Sequence, residues 1–412
     1  MLKKYITPWT AWLAFLGMIL LGGLVAGILV FWKGLSITNL TDLVPWGLWI
    51  TIDLSSIALG AGAFSLCAGV YLFGLKRYQP IARTATFVGL IGYTMATLAL
   101  ILDIGKPERF WHSMVYWNTH SLLWEVTMCV ILYLTVLMLE TMPIIANLEW
   151  LRKRFPKIAA KMEHVHHYAP FLAIIGLGLS SLHQSSLGAT YGVIKARPFW
   201  FKPEMSVLFM LSAIVGGISL TLFASMLASR LTNKAKLNDA LIERVAHFVG
   251  YLLIGYFYFR AWDALAVTYA YDPGRSEGLN LLTKGPLAFN FWIVEMLLGM
   301  IVPLFLLLYK PTRINRFWRM IALFLVAAGV VAFRWDTNIT GFLVVMPYVP
   351  GDAIAYTSYR PSLIEILTGA AIIAYGLTAF SLGVKYLRVV DHSLVEAEHK
   401  KVTVESTEPV VV

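Results

Sequence analysis

Four ionisable side chains interrupt apolar sequence in the first half of the chain. They are Asp53 in "PWGLWITIDLSS", Asp103 in "LILDIGKPERF", Glu125 in "HSLLWEVTMC" and His183 in "GLGLSSLHQSSLG", where Gln184 follows directly. Carboxyl and imidazole groups are the common agents of proton transfer. In hydrocarbon such groups are costly, and they mark proton paths or ligand sites more often than chance would place them there. Arg83 stands at the far edge of one of these runs, and no arginine lies deeper in them. The second half has its own set: Arg260 and Asp263 in "FRAWDA", Glu295 in "NFWIVEML", Arg334 and Asp336 in "AFRWDT", and Glu365 in "RPSLIEIL". Here two arginines stand ready to neutralise the acids, so this polar layer reads as interhelical glue.

Other chemistries find little support. A membrane-bound haem needs facing axial histidines at matched depth. The histidines are His112, His120, His164, His166, His167, His183, His247, His392 and His399, and only His183 lies well inside an apolar run. The "HVHH" of 164–167 falls at the edge of one. Cys67 and Cys129 are too few for an iron–sulfur cluster, and no metal site is expected. Walker A, GxGxxG and HExxH patterns are missing from the sequence.

The elements that must carry these residues follow from composition. The chain has 412 residues, is 58% hydrophobic and only 14% charged, and has a mean hydropathy of +0.71. That describes an all-α, polytopic membrane protein rather than a soluble enzyme. Ten apolar runs are long enough to span a bilayer, near 11–33, 45–75, 81–103, 119–148, 167–191, 205–229, 244–270, 286–309, 317–336 and 361–388. The first is too long for a signal peptide and is read as an uncleaved helix. Of the 33 basic residues, 22 fall at one side, in 1–10, 76–83, 152–161, 230–244, 310–319 and after 384. By the positive-inside rule both termini are cytoplasmic, and the net charge of +10 needs no nucleic-acid partner. The expected organisation is a first helix and outer loop (1–40), a first bundle with the candidate site (41–191) and a second bundle (192–340). An outer loop with the last helix (341–390) and a disordered cytoplasmic tail (391–412) complete it.

With that topology Asp53 lies roughly 12 Å and Glu125 about 9 Å below the outer ends of their helices. Asp103 and His183 lie near the outer ends of helices running the other way. Four ionisable residues from four consecutive helices are thus expected at one level, in the outer third of the membrane. A carboxylate-rich pocket open to lipid suits a small amphipathic ligand such as a quinone, whose reduction takes two electrons and two protons. The electrons must come from another subunit. The outer loop "KPERFWHSMVYWNTH", with "KARPFWFKPE", serves either as an aromatic interfacial belt or as a dock for that donor.

The wording of these segments is also familiar. "PWGLWITIDL", "GYTMATLALILDIGKPERFW", "SLLWEVTMCVILYLTVLMLE" and "LHQSSLGATYG" resemble the NrfD-like, or polysulfide reductase membrane subunit, family of quinone-interacting proteins. The likeness is greatest to the ten-helix subunits of type 2 hydrogenases and of menaquinone reductase complexes. It is strong over helices 2–5 and looser over helices 7–10. The resemblance implies a subunit without haem or iron–sulfur cluster that holds menaquinone near the outer face. It implies electron exchange with a ferredoxin-like iron–sulfur subunit. Beyond that would lie a molybdopterin-type, hydrogenase or multihaem cytochrome subunit. Matched by motif, Asp53, Glu125, His183 and Gln184 fall in the family's quinone pocket. Asp53, Glu125 and His183 are the expected proton-transfer groups, with Gln184, Asp103, Trp49 and Trp124 shaping the pocket. Ser55, Ser56, Thr94 and Thr97 would lead protons in from the cytoplasm. Two other functions fit a chain of this class, a secondary transporter and a purely structural anchor. A transporter would place its site nearer the midplane, on broken helices.

Overall fold

A computed structural model describes residues 7–233, 235–347 and 352–393 of the protein. Ten helices are long and apolar enough to cross a membrane: α1 (Pro8–Ile37), α2 (Leu48–Tyr71), α3 (Lys76–Asp103), α4 (Leu122–Ala146), α5 (Pro156–Gly192), α6 (Met205–Leu231), α7 (Asp239–Ala270), α8 (Asn290–Leu308), α9 (Arg316–Leu343) and α10 (Leu363–Leu387). The ten expected runs are all present. An even number of crossings puts both ends of the described chain on one face, called here the terminal face. The loops 104–121, 193–204 and 271–289 lie on the opposite face. Of the expected tail, residues 394–412 lie outside the described residues. Its first two, Asp391 and His392, are buried.

Helices α2–α5 pack as one four-helix bundle and α6–α9 as a second, while α1 and α10 pair with each other and lean on α3. Most helices are nearly uniform in hydrophobicity around their circumference, as expected where both core and lipid are apolar. The outward side of α1 shows this best, with Met18, Leu21, Leu24, Val25 and Ile28 all exposed for contact with lipid. Without a hydrophobic force between helices, close packing of small residues holds them. The clearest instance joins the bundles. α2 is interrupted at Ala61, and there the backbones of Gly62 and Gly217 on α6 touch: a Cβ on Gly217 would stand 2.2 Å from the Gly62 nitrogen.

Two departures from regular helix shape the interior. Residues Asn290–Ile301 of α8 are π-helical, which turns Glu295 toward α7. The first part of α5, Pro156–His164, is amphipathic and ends in a 3-10 turn, Val165–Tyr168, so the crossing segment begins at Ala169. The loop between α9 and α10 holds the only described strands, Val344–Val345 paired antiparallel with Ala355–Tyr356.

Candidate functional site

The opposite-face end of the first bundle contains a cavity of 480 Å³ between α2, α3, α4 and α5, with Phe110 and Met114 of the α3–α4 loop on its wall. Its walls are mostly apolar, with Leu54, Leu100, Val126 and Val130 prominent. Against that surface Asp53 and Asp103 both reach the cavity, as do Thr97, Thr190 and Tyr191. Asp53 Oδ1 and Asp103 Oδ1 are buried and have no hydrogen-bond partner among the described residues. Two carboxyl groups on neighbouring helices thus face one apolar chamber with capacity left to bind or release a proton. That size and composition match a small-molecule site with a few placed polar groups.

The wall is tied to the second bundle through Asn338 of α9. Tyr191 Oη donates to Asn338 Oδ1 at 2.9 Å, and Asn338 Nδ2 donates to Trp46 O at 3.0 Å and Thr51 Oγ1 at 3.2 Å. The amide therefore fixes the entry of α2, just ahead of Asp53. Trp46, Tyr191, Trp200 and Phe342 cluster around it in mostly edge-to-face contacts. Sequence reasoning missed Asn338, although an amide two residues beyond Asp336 in an apolar helix was a signal for it.

His183 is placed differently from expectation. It is fully buried, and its Nδ1 lies 3.0 Å from Tyr93 Oη, but it is not part of the cavity wall. Helix geometry gives the reason. Nine residues separate His183 from the end of α5, about 13.5 Å at 1.5 Å per residue. Asp53, five residues into α2, lies about 7.5 Å down, Glu125 about 4.5 Å, and Asp103 ends α3. The four groups form a descending series rather than one layer. Gln184 also stands behind the wall, where its Nε2 donates to Ile57 O at 3.2 Å. Glu125 lies to one side, accepting from Ser186 Oγ at 2.7 Å.

The two tryptophans expected in the pocket are outside it. Trp49 points toward α10 and donates to Thr368 Oγ1 at 2.8 Å. Trp124 packs on Trp117 and donates to Ser113 O at 2.8 Å, which pins the α3–α4 loop. The expected hydroxyl path divides as well. Thr97 reaches the cavity, but Thr94 turns one helical step away and meets Tyr375 of α10 at 3.2 Å. Ser55 and Ser56 are buried on α2.

In the second bundle an ionic network is closed by a residue that sequence reasoning did not single out. Arg260 Nη1 lies 2.5 Å from Asp263 Oδ2 and its Nε 2.7 Å from Glu295 Oε1, while Lys202, buried beneath the α5–α6 loop, pairs with the other oxygen of Asp263. Two cations and two acids balance. Arg334 does not share in this, contrary to expectation. It lies flat on Phe209, 3.7 Å from the ring centroid, and donates to Phe209 O and Ser212 Oγ. Asp336 accepts from Asn290 Nδ2 at 2.7 Å. Glu365 caps the start of α10 by accepting from Ser362 N at 2.8 Å, and it ties that end to the α1–α2 loop by accepting from Asn39 N at 3.0 Å.

Among the described residues no cluster of three or more histidine, cysteine or acidic side chains is arranged to hold a metal ion. Comparison with known proteins gives a consistent family. The chain is 31% identical over 389 residues to the menaquinone reductase integral membrane subunit of Nitratidesulfovibrio vulgaris, covering 92% of this chain and 91% of that protein. It is 26% identical to the probable Ni/Fe-hydrogenase 2 b-type cytochrome subunit of Escherichia coli, over 91% and 92% of the two chains. It is 25% identical to the Hdr-like menaquinol oxidoreductase integral membrane subunit of Archaeoglobus fulgidus, over 88% and 89%. Residues 36–346, from the end of α1 to the strand after α9, match the model of the polysulphide reductase, NrfD, family, and the chain is a multi-pass membrane member of it.

Proposed function

We propose that this chain is the quinone-reactive membrane subunit of a multisubunit respiratory oxidoreductase. The observation that carries the reading is the 480 Å³ cavity in which Asp53 and Asp103 face an apolar, lipid-level chamber. The names of its relatives, a menaquinone reductase and a menaquinol oxidoreductase among them, support menaquinone as the substrate. Reduction of a quinone takes up two electrons and two protons, and oxidation of the quinol releases them. Asp53 and Asp103 can each supply or accept one of the protons at the carbonyl oxygens. The wall hydroxyls of Thr97, Thr190 and Tyr191 donate to Tyr93 O, Ser186 O and Asn338 Oδ1, which leaves their lone pairs to accept from the hydroxyls of a quinol. Leucine and valine walls exclude bulk water and receive the ring.

Electrons would reach this site from an iron–sulfur subunit docked on the opposite face, with a molybdopterin-type, hydrogenase or multihaem partner beyond it. Exposed Phe110, Trp111, Tyr116 and Trp117 on the α3–α4 loop, directly above the cavity, offer the contact surface. In this reading the terminal face is cytoplasmic, because it collects 22 of the 33 basic residues. The chain itself carries no haem in this proposal, since haem held between helices needs two facing histidines and His183 is the one histidine fully buried within a spanning helix among the described residues.

The test is turnover of the purified complex with a water-soluble menaquinone analogue, in wild type and in Asp53→Asn and Asp103→Asn. Loss of quinone turnover with intact reduction of the donor centres is the expected result. Unchanged turnover in both variants would mean that the chemistry lies elsewhere and that this chain serves as an anchor.

A further inference from the structure

A second cavity, of 460 Å³, opens at the terminal face of the same bundle. Its rim carries Glu163 from the end of the helix Pro156–His164, His166 and His167 from the 3-10 turn that follows it, and Arg83 from α3. Tyr71 of α2 and Glu140 of α4 line its interior. Glu140 lies six residues from the end of α4, about 9 Å into the helix, and makes no hydrogen bond or ion pair with any described residue. Nothing in the quinone cavity requires an acid at that end of the bundle.

Between the two cavities runs a column of buried polar groups. Tyr133 stands seven residues before Glu140 on α4, hence on the same face and about 10.5 Å closer to the quinone cavity. Its ring meets that of Tyr93 edge-on, with centroids 4.7 Å apart, and Gly176 of α5 leaves the space the Tyr133 ring fills. Tyr93 Oη then reaches His183 Nδ1 at 3.0 Å. Gln184 follows, bonded to Ile57 O, one helical turn from Asp53 on α2. Ser180 Oγ is buried beside the Tyr93 and Tyr133 hydroxyls, and His183 Nε2, Gln184 Oε1 and Asp53 Oδ1 are buried here without a hydrogen-bond partner among the described residues. Buried polar groups of this kind are the ones that bind internal water.

We propose that the terminal-face cavity is a proton-loading vestibule for the quinone site: Glu140 takes protons from the terminal face, and Tyr133, Tyr93 and His183 relay them to Asp53. The proposal rests on the quinone reading above. The histidines and Glu163 at the rim collect protons from solvent and hand them to Glu140. Each relay group gives up one proton and receives one, so no net charge stays in the column. Tyr93 passes its hydroxyl proton to His183 Nδ1 and regains one from the Tyr133 side. His183 releases the proton on Nε2 toward Asp53. This path replaces the hydroxyl route through Thr94, which faces α10.

The experiment uses the whole complex in proteoliposomes oriented by donor accessibility, with a pH-sensitive dye on the terminal side. Glu140→Gln is expected to lower quinone turnover at least tenfold and to abolish proton uptake from that side. Glu140→Asp should restore part of both. Reduction of the donor centres and the affinity for a quinone-site inhibitor should not change, which separates proton supply from damage to the pocket. Tyr93→Phe, which removes one hydroxyl and keeps the ring, should behave as Glu140→Gln does, and it decides the matter if Glu140→Gln does not assemble. Normal turnover and terminal-side uptake in the assembled variants would overturn the vestibule and leave the quinone reading intact. A wild-type complex that takes its protons from the opposite face would do the same. A wild-type complex inert toward the quinone analogue would remove both.

Discussion

Asp53 and Asp263 are both aspartates buried in helical bundles, and their surroundings assign them different work. Asp263 is held by Lys202 and Arg260, whereas Asp53 borders a cavity and has an oxygen that nothing described bonds. Asp53→Asn and Asp103→Asn are therefore expected to lower quinone turnover by about 10²–10⁴-fold each, as removal of a general acid does. Steady-state assay of the purified complex checks this. Lys202→Met should instead act on stability. It leaves a buried carboxylate short of a partner, a loss of about 3–5 kcal/mol for such pairs. The measurement is thermal unfolding in detergent, and adding Asp263→Leu should recover most of the loss. The acids were legible in the sequence because any charge in an apolar run stands out. Lys202 was not, because it sits in a loop among other basic residues and only the fold carries it inward. His183 was legible as a buried polar group, but its level depended on helix ends that motifs do not fix.

At the scale of helices, the ten spans were readable since hydrophobic length alone decides them. Their irregularities were not. The π-helical stretch of α8 and the break of α2 at Ala61 arise from neighbours that a single sequence does not name. The break matters because Gly62 meets Gly217 there, backbone against backbone. Gly217→Val is expected to prevent α6 from seating on α2 and to abolish recovery of folded protein from the membrane. Gly22→Ala, where nothing lies within 4 Å of the added carbon, should be recovered at wild-type levels. Fluorescence-detected size-exclusion chromatography of tagged variants distinguishes the two outcomes.

For the molecule as a whole, the asymmetry of basic residues predicts that the α3–α4 loop lies outside the cell and both termini inside. A cysteine placed at Asn118 should react with a membrane-impermeant maleimide in intact cells. Reaction only after lysis would invert the orientation and with it the side from which the complex draws its electrons. The separated chain should also show no haem Soret band, and a visible spectrum of the subunit freed from its partners tests that directly. The glycine crossing between the bundles has a mechanical consequence. Where Gly62 meets Gly217 no side chain stands between the two main chains to yield, so the bundles cannot rock or slide against each other there without breaking the contact. Alternating exposure of a central site depends on such movement. On the function proposed above, the helices form a stationary frame, past one end of which a lipid-borne substrate moves while protons cross the interior.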